Sequence, residues 1–156
     1  MGTLFDIHEI VNFAIQREQE SFELYRTLAE QVQPQELKNV FVMLMEEERQ
    51  HREYYADLSG SLAQQTDPSL QRDEEYDAYM RVLLDSGKTS KTLPVDMENL
   101  QATIDYAIGR EKDAVLFYIG LEQCVSVKDR ETVRGIVREE ARHIVKLTHV
   151  KAELLM

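Results

Sequence analysis

Apolar residues recur every three or four positions along most of the chain, the period of helices that each bury one face. Ile7, Val11, Ala14, Ile15, Phe22, Tyr25 and Leu28 keep that period to about Gln31, with Asp6 placed as an N-cap and Glu9 as its capping partner. Pro34 suits the first turn of a second helix, which runs through Leu37, Val40, Phe41, Leu44, Met45, Tyr55 and Leu58 to Ser59-Gly60. A third helix starts near Asp96 and continues through Leu100, Ile104, Ala107, Ile108, Val115, Tyr118 and Leu121. A fourth follows Ser126, with Asp129 as its capping-box partner, through Val133, Ile136, Val137, Ile144 and Leu147. The turns inside each pair are so short that both pairs must be antiparallel hairpins.

Residues 60–95 break the pattern. Ser, Gln, Thr, Asp, Gly and Lys dominate the flanks, and Tyr76, Tyr79, Met80, Leu83 and Leu84 mark a short amphipathic helix between them. A connection this long has a structural task in a compact domain. Here it carries the chain from one end of a bundle to the other. The expected fold is all-α: a single domain over residues 1–156, four long helices with one long crossover containing a short helix.

Polar residues interrupt the apolar stripes at matching places. Glu18 sits mid-stripe in the first helix and Glu111 in the third, while Glu48-x-x-His51 and Glu140-x-x-His143 sit in the second and fourth. Residues three apart share a helix face, so each Glu and His can hold one edge of a metal. The two hairpins are repeats of each other. The segment from Arg17 to Tyr25 aligns with that from Arg110 to Tyr118 at an offset of 93, and Glu48/His51 align with Glu140/His143 at an offset of 92. Residues level with each other in a hairpin lie equally far from its turn. The midpoint of Glu18 and Glu48 is residue 33, beside Pro34, and that of Glu111 and Glu140 falls between Val125 and Ser126. Each lone Glu therefore faces its Glu-x-x-His about 15 residues, roughly 22 Å, from the turn. Four carboxylates and two imidazoles converge on one level of an apolar core. Left without cations, they would repel and take up protons; two divalent ions would neutralise them.

Composition narrows the classes. The 156 residues, 43% hydrophobic and 30% charged with three Pro and six Gly, suit a helical domain with a sizeable core. A formal net charge of −11 argues against nucleic acid or an anionic membrane as partner. No run approaches a membrane span, and no signal peptide is read at the N-terminus, so a cytoplasmic location is expected. The lone Cys124 excludes an internal disulfide and a four-Cys metal site, and it reads as a small apolar residue. Gly109, Gly135 and Gly120 interrupt helices and suggest close helix contacts. His8 and His149 have no Glu at the matching position and read as surface or helix-end residues.

On these residues the chain resembles a rubrerythrin-type member of the ferritin-like di-iron carboxylate superfamily, over nearly its whole length. The resemblance implies a ferritin-like bundle and two iron ions held by Glu18, Glu48, His51, Glu111, Glu140 and His143, with Glu48 and Glu111 or their mates bridging. Manganese or zinc would also suit such ligands. Tyr25 and Tyr118, each two turns past its Glu, serve as core aromatics or as hydrogen-bond donors to ligand carboxylates. The sequence departs from the family twice. Ala114 stands where typical rubrerythrins place a further glutamate, and the four-Cys rubredoxin domain they append has no counterpart here.

The function expected is reduction of hydrogen peroxide or dioxygen by a di-iron oxidoreductase that draws electrons from a separate donor protein, as a homodimer. Two alternatives stand beside it: an iron-binding, iron-oxidising ferritin-like protein, and a helical interaction protein with a structural metal.

Overall fold

In the computed structural model the described residues are 7–62, 99–123 and 125–155, with Ala78 and Val82, both helical, between them. Four long helices account for nearly all of this: α1 (Ile7–Gln31), α2 (Gln35–Leu62), α3 (Leu100–Glu122) and α4 (Val127–Leu154). Asp6, Asp96, Cys124 and most of the 60–95 crossover, including Tyr76, Tyr79, Met80, Leu83 and Leu84, lie outside the described residues.

The helix ends follow local chemistry. Pro34 opens α2 by accepting hydrogen bonds from the Leu37 and Lys38 amides, each at 3.1 Å. At its far end α2 passes through Ser59-Gly60 to Leu62, two residues beyond the expected stop. No glycine among the described residues has a positive φ, so Gly60 is an ordinary helical residue and not a left-handed cap. The α3 cap is Asn99, later than the expected start near Asp96; its side chain accepts from the Ala102 amide at 3.1 Å. Ser126 occupies the N-cap of α4, but its hydroxyl donates to Asp129 Oδ2 at 3.0 Å and caps no backbone amide. The capping-box reading therefore holds in position and fails in hydrogen bonding.

α1 packs on α2 and α3 on α4 along their lengths, while the two hairpins approach each other more sparingly. That spacing leaves room between them for long side chains. The core is split in two. Phe13, Tyr55, Phe117, Tyr118 and Leu121 belong to one apolar cluster, and Leu24, Tyr25, Leu28, Phe41 and Leu147 to another. Fully burying a Leu or Phe side chain stabilises a fold by about 1.5–3 kcal/mol, and these two clusters flank the polar level from either side. Two arginines tie the hairpins reciprocally: Arg17 Nη2 donates to the Arg110 carbonyl at 3.0 Å, and Arg110 Nη2 to the Arg17 carbonyl at 3.4 Å. The pseudo-twofold of the sequence is thus a pseudo-twofold of contacts.

Close helix contact is not what places the glycines at 109 and 135. A Cβ added at either would meet nothing within 4 Å. Among the described residues no helix is long and apolar enough to cross a membrane.

Candidate metal centre

The helical period carries Glu18, Glu48, Glu111 and Glu140 inward with the apolar residues on either side of them, and the fold brings all four to one level. Each is at most 2% exposed, and His51 and His143 are at most 3%. Carboxylates are almost never buried so fully unless they are paired or hold a metal.

Their ligand atoms form two overlapping quartets, Glu18–Glu48–His51–Glu140 and Glu48–Glu111–Glu140–His143, with all chosen atoms in each within 4.8 Å of one another. Glu48 and Glu140 belong to both quartets; Glu18 and Glu111 belong to one each. The two Glu-x-x-His glutamates are thus the residues common to both quartets, and Glu111 stands in the second alone.

The imidazoles are turned alike. His51 Nδ1 points into the cluster, 2.8 Å from Glu140 Oε1 and 3.7 Å from Glu18 Oε2. His143 Nδ1 lies 2.8 Å from Glu48 Oε1, 3.3 Å from Glu111 Oε1 and 3.4 Å from Glu140 Oε2. The outer edges meet carboxylates of the opposite hairpin: His51 Nε2 bonds to Glu139, and His143 Nε2 to Glu47. The two rings lie 6.1 Å apart and 19° from parallel.

The tyrosines complete the cross-links. Tyr118 donates to Glu18 Oε1 at 2.6 Å and Tyr25 donates to Glu111 Oε1, each reaching from one hairpin to the other. Burial, reinforced by the nearby carboxylates, pushes both phenols well above their ordinary pKa, so they stay protonated as donors. Tyr55 breaks the symmetry. It is fully buried, stacks on Tyr118 at 5.2 Å between centroids, and its hydroxyl has no hydrogen-bond partner among the described residues.

Electrostatics divides the carboxylates. Burial, and then the negative charge of Glu140, pushes Glu48 and Glu111 well above the usual carboxylate range. Glu140 is held well below it: burial opposes this, but hydrogen bonds from Glu111, His143 and His51 outweigh burial. Burial works against a charge on His51, yet Glu140 and Glu18 push it up to about 11. Glu111, Glu140, Glu47 and Glu48 raise His143 likewise. Without cations the cluster is held together by protons.

The atoms present fit a pair of cations. Glu18 Oε2, Glu48 Oε1, His51 Nδ1 and Glu140 Oε1 are buried, and among the described residues they meet imidazole–carboxylate contacts that fall outside hydrogen-bond geometry; all four residues belong to the first quartet. One cation would satisfy all four together, where the contacts between them do so only in part. Oxygen donors with one imidazole per quartet suit iron, manganese or zinc.

Glu47, Glu139 and Tyr55 were not singled out as site residues by the sequence reading. For the first two a signal was present, because the Glu-Glu doublets 47–48 and 139–140 occupy matching places in the repeat. Tyr55 has Leu147 as its repeat counterpart and so left none. Ala114 is buried within an apolar cluster, so that position offers no further carboxylate. His149 is exposed, as expected, and His8 is partly buried near the start of α1.

Comparison with known proteins agrees with this construction. The family model of rubrerythrin matches residues 9–151. Among curated proteins, none matches the chain. A crystal structure described as that of a ferritin-like diiron-carboxylate protein from Thermotoga maritima superposes with a TM-score of 0.69 at 25% identity, covering 98% of this chain and 99% of that one. With a four-helix bundle, two Glu-x-x-His helices and two facing glutamates, the chain belongs to the rubrerythrin family and has the ferritin-like fold.

Proposed function

We propose that Glu18, Glu48, His51, Glu111, Glu140 and His143 hold two iron ions, and that the protein reduces hydrogen peroxide or dioxygen with electrons from a separate donor. The observation that carries this reading is the pair of buried quartets sharing Glu48 and Glu140. Four carboxylates balance the charge of two divalent ions, while Glu18 with His51 and Glu111 with His143 complete one end each. When bound, such a pair of irons supplies two electrons, the number that converts peroxide to water.

The chain's own residues do the rest. Tyr25 and Tyr118 hold Glu111 and Glu18 by one oxygen each, which leaves the other oxygen free to turn toward a cation. Burial and the neighbouring carboxylates raise the pKa of Glu48 and Glu111, which makes them the groups that give up protons as cations enter. The apolar clusters on either side limit water at the site. The 156 residues contain one cysteine and so no four-Cys redox site, which supports the reading that electrons for re-reduction come from a separate donor.

The test is anaerobic loading with iron(II), metal analysis, then stopped-flow mixing with peroxide and separately with dioxygen. Two irons per chain, oxidised faster by peroxide than by dioxygen, are expected, with sustained turnover only when a reductant is added. Faster oxidation by dioxygen would overturn the peroxide assignment and favour an oxidase or iron-oxidising role. Failure to bind two metals would overturn the whole reading. Size-exclusion chromatography of the same sample tests the homodimer; a large shell would instead favour iron storage.

A further inference from the structure

The contacts of Glu47 and Glu139 are reciprocal. Glu139 and Glu140, adjacent on α4, hold the two nitrogens of His51 on α2, one carboxylate at each edge of the ring. Glu47 and Glu48, adjacent on α2, hold His143 on α4 in the same way. The inner member of each doublet is fully buried and belongs to both quartets, whereas the outer member is partly exposed, with side-chain accessibilities of 41% for Glu139 and 30% for Glu47. When a cation displaces the Nδ1 proton, an outer carboxylate at Nε2 keeps the remaining ring proton on that nitrogen. The lone pair of Nδ1 is then directed into the quartet, and the ring cannot rotate without breaking the bond. Each such bond also spans the two hairpins, whose backbones otherwise touch sparingly.

We propose that Glu47 and Glu139 are positioning residues that act one per metal position, each through the histidine of the opposite hairpin. Glu139 serves the quartet of Glu18 and His51, and Glu47 serves the quartet of Glu111 and His143. The inference rests on the metal-ligand reading above. It adds that the two metal positions are tuned separately, by residues outside the ligand set, and that loading them locks one hairpin to the other.

The test uses Glu47→Ala and Glu139→Ala in the full chain, with Glu46→Ala as control. Glu46 lies one position away, bonds to Arg49 on its own helix and touches neither histidine. Alanine favours the helix at these partly exposed positions, and far-ultraviolet circular dichroism of the metal-free variants checks the fold. Titration with manganese(II) under equilibrium dialysis should show one of two metal positions weakened about 10–100-fold in each variant and the other little changed. Gln at either position, which keeps an acceptor for Nε2, should recover part of the loss. Pairing assigns the position: Glu139→Ala should be non-additive with Glu18→Ala and additive with Glu111→Ala, and Glu47→Ala the reverse. A wild type that binds two metals, with both alanine variants matching the Glu46→Ala control, would overturn the positioning role alone. Equal weakening of both positions by either variant would overturn the one-per-metal assignment. A wild type that binds no metal would overturn the ligand reading and this inference with it.

Discussion

At the scale of single residues, the six buried site groups are not equivalent, although the sequence presents them as two equal sets. Glu48 and Glu140 stand in both quartets, and Glu18 and Glu111 in one each. Removing a shared carboxylate therefore strips a ligand from both positions. Glu48→Ala or Glu140→Ala should lower bound metal from two toward none, while Glu18→Ala or Glu111→Ala should leave about one of the two, as read by elemental analysis after dialysis. Stoichiometry near one in all four variants would refute the sharing. The shared glutamates were legible as site residues because Glu-x-x-His repeats at a fixed place. Their sharing was not, since the level of a residue along a helix says nothing about which of two neighbouring sets its oxygens reach.

At the scale of elements, the apolar period located all four helices, and the breakers at Pro34 and Ser126 marked both hairpin turns. The ends proved less legible. Gly60 stays helical because a glycine only permits a left-handed cap, and here α2 continues for two more residues. Ser126 has the residue type of a cap, yet its hydroxyl is taken by the Asp129 carboxylate, which also accepts from Tyr54 at 3.2 Å. Gly109 and Gly135 are mid-helix residues with open space around them and helical backbone on either side. Replacing either by alanine removes backbone freedom from the unfolded chain without a clash. Each substitution should stabilise the protein by about 0.4–1 kcal/mol, seen as a rise of a few degrees in melting temperature with metal binding unaltered. A fall in melting temperature for Gly109→Ala would mean that the space beside it is filled in solution.

At the scale of the whole molecule, the buried cluster makes the stability of the metal-free protein depend on pH. His51 rises from about 6.5 unfolded to about 11 folded, and His143, Glu48 and Glu111 are raised as well. A group whose pKa is raised by folding stabilises the fold fully below its unfolded pKa and loses that contribution as pH climbs through the folded value. All four therefore act in one direction as pH rises, and His51 sets the window from about 6.5 to about 11. Glu140, held low, acts oppositely and only in acid, where its contribution is lost as pH falls. Chelator-treated protein should melt at progressively lower temperature as pH rises from 6.5 toward 11. Two divalent ions should raise the melting temperature and flatten that slope, because cations take over from the protons. Melting curves of the metal-free protein that are flat or rising over this range would contradict the proton-bridged cluster.

The sequence by itself determined the helices, their pairing into two hairpins, and the level at which Glu18, Glu48, His51, Glu111, Glu140 and His143 meet. These follow from short-range facts: a 3.6-residue period, breakers at turns, and equal distances to either side of a turn. Only the tertiary structure decided how the hairpins face each other, and that choice set everything between them. It gave Tyr118 to Glu18 and Tyr25 to Glu111, put Glu139 on His51 and Glu47 on His143, and left the Tyr55 hydroxyl without a partner among the described residues. Contacts between residues some ninety positions apart depend on the distance and rotation between packed helices. Helical period fixes which face of a helix is buried, and the partner across the gap is fixed by how two such faces dock.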